Sequence, residues 1–138
     1  MKIAVFGMGY VGVVTAACFA DDGHEVVGVD VSPAKLEQLR SGESPIVEEG
    51  IADLVSRSAA SGHLRATESA AEALRGADLA IICVGTPSQP DGSLDQRYVG
   101  KVCEEIGQCL REEGGAVLLV FRSTMVSGSM RALVLLTL

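Results

Sequence analysis

Apolar and polar positions along the chain switch repeatedly between two periods. Residues 2–7, "KIAVFG", form a short apolar and β-branched run ending in glycine, whereas residues 10–22 carry small and apolar side chains on several faces, as a helix buried against a sheet does. "HEVVGVD", residues 24–30, predicts a second strand. Ser32 and Pro33 then supply an N-cap and a first-turn proline for a helix that places Leu36 and Leu39 on one face and stops at Gly42. Ile51, Leu54 and Val55, spaced at i, i+3 and i+4, predict a further helix over 49–60, followed by a brief strand over 64–66. Ser69 and Glu72 form a capping-box pattern for a short helix.

"LAIICVG", residues 79–85, is the most strand-like run and has the continuous apolar character of a strand covered on both faces. A turn-rich loop, "TPSQPDGSLD", follows it. Asp95 is placed to cap the next helix, on which Val99, Val102, Cys103, Ile106 and Leu110 trace a 3.6-residue stripe. Gly114 and Gly115 are expected to end that helix, and "AVLLVF", residues 116–121, to form another buried strand. "RSTMVSGS" leads into a last pattern with Met130, Leu133, Val134 and Leu138 on one side. Five strands alternating with helices predict an α/β fold: an open, doubly wound, mostly parallel sheet of the Rossmann type, occupying residues 1–138 as one domain. "RALVLLTL" carries no helix stop, so the pattern is that of a domain truncated at its C-terminus, with leucines that seek a partner.

Composition narrows the function. With 48% hydrophobic and 21% charged residues the chain is a folded globular protein. It has no apolar run approaching the ~20 residues of a membrane span, and its start lacks a signal-peptide pattern, so a cytoplasmic location and no membrane partner are expected. A formal charge of −7 argues against a nucleic-acid partner. It does not argue against a phosphate ligand, because helix N-termini and loop amides bind anions without a basic side chain. Cys18, Cys83, Cys103 and Cys109 include no CxxC pair and are expected to be reduced core residues, with no metal site. His24 and His63 each follow a glycine and receive no role.

The chemistry-bearing pattern is "GMGYVG". Gly7, Gly9 and Gly12 fit GxGxxG between a strand and a helix, where the first glycine permits a tight turn, the second leaves room for a pyrophosphate and the third lets helix and strand approach. Asp30 ends the second strand 18 residues past Gly12, where a carboxylate accepts hydrogen bonds from an adenosine ribose. That carboxylate would repel a 2′-phosphate, so the cofactor expected is NAD rather than NADP. Two further loops lie at C-terminal strand ends, and each offers a hydroxyl, Thr86 in "VGTP" and Thr124 in "RST". Lys35 is within reach of the ribose side of the site.

Taken together, "KIAVFGMGYVG", "GHEVVGVDVSPAKL", "GESPIVEEG", "ICVGTPSQPDGSLD" and "RSTMVSG" resemble the UDP-glucose/GDP-mannose dehydrogenase family over essentially the whole chain. "SPIVE" and "YVGKVCEEIGQCLRE" resemble its GDP-mannose branch, associated with alginate; the UDP-glucose branch usually has an aromatic residue where Val47 stands. The resemblance implies oxidation of a sugar C6 alcohol to a carboxylate in two NAD-dependent hydride transfers through a cysteine-bound intermediate. It also implies a nucleotide-sugar substrate and a homo-oligomer for the full-length enzyme. Tyr10 and Val11 would contact the pyrophosphate, Asp30 and Lys35 the adenosine ribose, and Thr86 and Thr124 the nicotinamide side.

The family's nucleophile belongs to a "GGSC" segment beyond residue 138, and none of the four cysteines here has that context. The central helix and sugar-nucleotide domain are likewise outside the chain, so no catalytic residue is assigned and the chain alone is expected to be inactive. Glu49 and Ser127 stand where the family usually has proline. Another NAD enzyme of similar architecture, such as a hydroxyacid or hydroxyacyl-CoA dehydrogenase, and a free-standing NAD-binding or regulatory module without chemistry are the alternatives.

Overall fold

The computed structural model describes residues 1–114 and 116–138. The elements run β1 (Lys2–Phe6), α1 (Tyr10–Asp21), β2 (Glu25–Val29), α2 (Pro33–Arg40), α3 (Ile51–Ala60), β3 (Leu64–Thr67), α4 (Ala70–Leu74), β4 (Leu79–Ile82), α5 (Arg97–Glu113) and β5 (Leu118–Phe121). A π-helical turn, Met130–Val134, passes into α6 (Leu135–Thr137). All strand pairs are parallel, in the order β3-β2-β1-β4-β5. The strand order reverses between β1 and β4, which opens a crevice at their C-terminal ends.

Helices cover both faces, which is why β1 and β2 are buried at almost every position rather than alternating. Ile3, Val5, Val26, Leu64 and Ile81 pack under α1 and α3. Ala4, Phe6, Val27, Ala80 and Ile82 pack against α4 and α5 on the opposite face. Alanines at 16 and 17, fully buried, let α1 lie close to the sheet. Each large aliphatic side chain buried in this way stabilises the fold by about 1.5–3 kcal/mol.

Several local expectations are corrected. Strand β5 is not buried: Leu118 and Val120 are 66% and 37% exposed, because the described helices cover only the Leu119 and Phe121 face of this edge strand. Ser32 occupies the N-cap position of α2 without a side-chain capping bond; its own amide donates to Asp30. Asp95 accepts the Arg97 amide at 3.1 Å, although the residue flanking α5 is Gln96. The Ser69 capping bond to the Glu72 amide forms, while Glu72 reaches back through the Thr67 hydroxyl rather than directly to Ser69. Cys18 is on the exposed side of α1 and is not a core residue. In the last pattern Val134 is buried and Leu133 and Leu138 pack beside it, but Met130 is exposed. Gly114, with φ 68°, ends α5; Gly115 lies outside the described residues.

Candidate functional site: the crevice at the strand crossover

The three motif glycines do three different things. Gly7 turns the chain out of β1 at φ +94°, and a Cβ there would stand 2.9 Å from the Val84 backbone. Gly12, in the first turn of α1, would bring a Cβ to 1.8 Å from the Gly7 carbonyl oxygen, so the helix can approach the turn only without a side chain. A Cβ at Gly9 meets nothing within 4 Å. Gly9 therefore opens onto free space at the start of α1, where first-turn amides lack intrahelical acceptors and the dipole favours an anion. The side chains of Tyr10 and Val11 are about half exposed beside this space.

Asp30 leaves the end of β2 and turns back toward the glycine loop. Its Oδ2 accepts the Met8 amide at 2.7 Å and the Lys35 ammonium at 3.3 Å, while Oδ1 accepts the Ser32 amide at 2.9 Å. The carboxylate is only 9% exposed, against 39% for the Lys35 side chain. With about four lone-pair positions on an ionised carboxylate, three are engaged. One ribose hydroxyl can be accepted directly, and a second requires the long Lys35 contact to give way.

Across the crevice, Thr86 is half-exposed after β4 and Thr124 is exposed after β5. Ser123 holds the second of these loops to the first by donating to the Val84 carbonyl at 2.7 Å. All nine residues expected at the site thus fall at the C-terminal edge of β1, β2, β4 and β5.

Sequence inspection missed two contributors. Met8, fully buried, lies over Gly28 of β2, where an added Cβ would come within 2.6 Å of its sulfur; the glycine in the middle of a valine run was the available signal. Arg122 donates from Nη1 to the Thr15 hydroxyl at 2.8 Å, and Thr15 donates to the Val11 carbonyl at 2.6 Å. Burial pushes the nearby Cys83 thiol up, and the Arg122 cation partly opposes that shift.

A second depression, of about 640 Å³, is lined by Gln89, Asp95, Arg97, Lys101 and Glu104 at the start of α5 and includes no glycine-loop residue. There the Arg97 guanidinium hydrogen-bonds Asp95 and lowers its carboxyl to about 2. Among the described residues no cluster of three metal-ligating side chains occurs, and no helix is long and apolar enough to cross a membrane.

The profile of the UDP-glucose/GDP-mannose dehydrogenase family, NAD binding domain, matches residues 1–138. GDP-mannose 6-dehydrogenase of Pseudomonas syringae pv. syringae is 46% identical over 98% of the chain, and UDP-glucose 6-dehydrogenase of Rhizobium meliloti is 42% identical over 94%. A ternary complex of GDP-mannose dehydrogenase from Pseudomonas aeruginosa superposes with a TM-score of 0.94 at 43% identity over 97% of the chain. The chain spans 31%, 29% and 31% of those three proteins respectively, about a third of their length. The glycine turn, the carboxylate at the end of β2 and these likenesses agree: the chain belongs to the UDP-glucose/GDP-mannose dehydrogenase family and forms its NAD-binding domain.

Proposed function

We propose that residues 1–138 are the cofactor half of a nucleotide-sugar 6-dehydrogenase acting on GDP-mannose, with the central helix and sugar-nucleotide domain lying beyond them in sequence. The observation that carries the cofactor site is the Asp30 carboxylate, nearly buried yet retaining acceptor capacity, and bonded to the amide of the loop it adjoins. Gly9 leaves the pyrophosphate its space, with Tyr10, Val11 and Gly12 supplying the start of α1 and Gly7 the turn that aims it. Asp30 and Lys35 face the adenosine ribose, and Thr86 and Thr124 flank the nicotinamide. NAD, when bound, supplies the hydride acceptor. The residues of this chain bind and orient it; no nucleophile or general base for the sugar is assigned here.

The GDP-mannose assignment is supported by the 46% identity to the P. syringae enzyme, and it makes the parent a producer of GDP-mannuronate for a uronate polymer such as alginate. UDP-glucose is the second reading, supported by a UDP-glucose dehydrogenase from Pyrobaculum islandicum at 44% identity and a TM-score of 0.92. A cytoplasmic homo-oligomer fits both.

Calorimetric titration of the chain with NAD and NADP, beside an Asp30→Ala variant, tests the site. NAD binding lost in the variant, with NADP weak throughout, supports it; equal binding by both proteins sinks it. Assaying a longer protein that carries residues 1–138 with GDP-mannose and UDP-glucose decides the substrate.

A further inference from the structure

Leu118, Val120 and Arg122 alternate onto the face of the sheet that α1 covers farther in, past β4. All three are exposed, but the end of the Arg122 side chain is hydrogen-bonded. It donates to Thr15 of α1, a residue 107 positions away in sequence and 7% exposed, and its charge acts on Cys83 at the end of β4. A threonine hydroxyl has one donor and can accept as well. Here the donor goes to the Val11 carbonyl while the oxygen accepts Arg122, so a continuous chain of hydrogen bonds runs from Arg122 to the first turn of α1. The adjoining Ser123 pins the same segment to Val84, and Thr124 comes next.

We infer that Arg122 is a positioning residue of the cofactor crevice, which acts through Thr15 to fix the loop carrying Thr124 relative to the first turn of α1, where Tyr10 and Val11 stand. The inference rests on the cofactor site proposed above. The loop follows β5 and the helix follows β1, two strands separated by β4, and the sheet ladder fixes only their starting points. A dinucleotide must touch both at once, so their spacing is a property that binding senses. A ligand confined to the adenosine side touches only one. Loss of a charged hydrogen bond at such a position is expected to change affinity about tenfold.

The experiment titrates NAD and AMP into the unaltered chain and into Arg122→Met, Arg122→Lys, Thr15→Val and the Arg122→Met/Thr15→Val double variant, with the thermal midpoint measured for each. The expected result is NAD binding weakened about tenfold in Arg122→Met, AMP binding unchanged, Arg122→Lys intermediate, and a double variant no weaker than either single one. Unchanged NAD affinity overturns the inference, as does parallel loss of NAD and AMP binding with a fall in midpoint, which marks a general structural role. Additive penalties also overturn it, because they place Arg122 on the cofactor itself rather than on Thr15. A lysine variant no better than methionine assigns the loss to side-chain bulk and counts against it. Absence of NAD binding by the unaltered chain overturns the cofactor site as well, which separates the two failures.

Discussion

The Asp30 carboxylate accepts the backbone amide of Met8 at 2.7 Å, so the residue proposed to face the ribose also holds the loop proposed to face the pyrophosphate. Replacing Asp30 by alanine removes both functions and leaves the Met8 and Ser32 amides without their acceptor. The expected outcome is an NAD affinity lowered at least about tenfold, together with a stability loss of about 1–3 kcal/mol. Calorimetry and urea unfolding of the same preparation measure the two effects separately; a variant as stable as the parent would show that the Met8 bond contributes nothing to the fold.

Two glycine substitutions in the same motif should fail in opposite ways. Gly12→Ala forces a Cβ against the Gly7 carbonyl and is expected to cost about 3 kcal/mol or more of stability. Gly9→Ala places its methyl in open space at an N-cap, so stability should change by no more than about 1 kcal/mol while NAD binding is lost. Thermal unfolding compared with cofactor titration distinguishes them. A Gly9→Ala protein that binds NAD normally would remove the pyrophosphate from that space.

The site is legible in the sequence to a different degree at each residue. The β1-α1-β2 unit was legible because its apolar runs, three glycines and Asp30 are local signals on elements of ordinary length. The α5 stripe was legible for the same reason: Val99, Cys103 and Ile106 are fully buried. The exposure of Leu118 and Val120 was not, because an apolar strand records its own composition and not whether a helix covers it. Arg122 was missed for a related reason: nothing near it in sequence marks a partner on α1, and only the strand order brings the two together. Ser32 sits at the N-cap position as spacing predicts, but its hydroxyl makes no capping bond, and spacing alone does not decide whether that bond forms.

Acid should expose the Asp95–Arg97 pair. The folded carboxyl is lowered from 3.8 to about 2, chiefly by its hydrogen bonds from Arg97. A depressed folded value means that the stabilisation is complete above about pH 4 and is lost as pH falls through about 2. Unfolding measured at several pH values between these limits should therefore show a slope that Asp95→Asn reduces. An identical slope in both proteins would place the proton uptake elsewhere.

The cysteines provide a chemical readout of the crevice. Alkylation followed by mass spectrometry should modify exposed Cys18 first and buried Cys103 last, since burial raises the latter thiol. Cys83 is also raised by burial, with Arg122 pulling in the other direction. Removing that cation in Arg122→Met lowers the thiolate fraction, so Cys83 should react more slowly at the same pH while Cys18 is unchanged. Faster modification of Cys83 would mean that the arginine shields the thiol more than it activates it.

The thioether of Met8 resting on Gly28 couples the interior of β2 to the glycine loop. One methyl group added at position 28 would displace a sulfur, the sulfur belongs to the loop, and the loop's amide is the one Asp30 holds. Volume inside the sheet thus reaches the loop amide that Asp30 holds, through a side chain that carries no charge. A survey of variants confined to polar side chains around the crevice would pass over it.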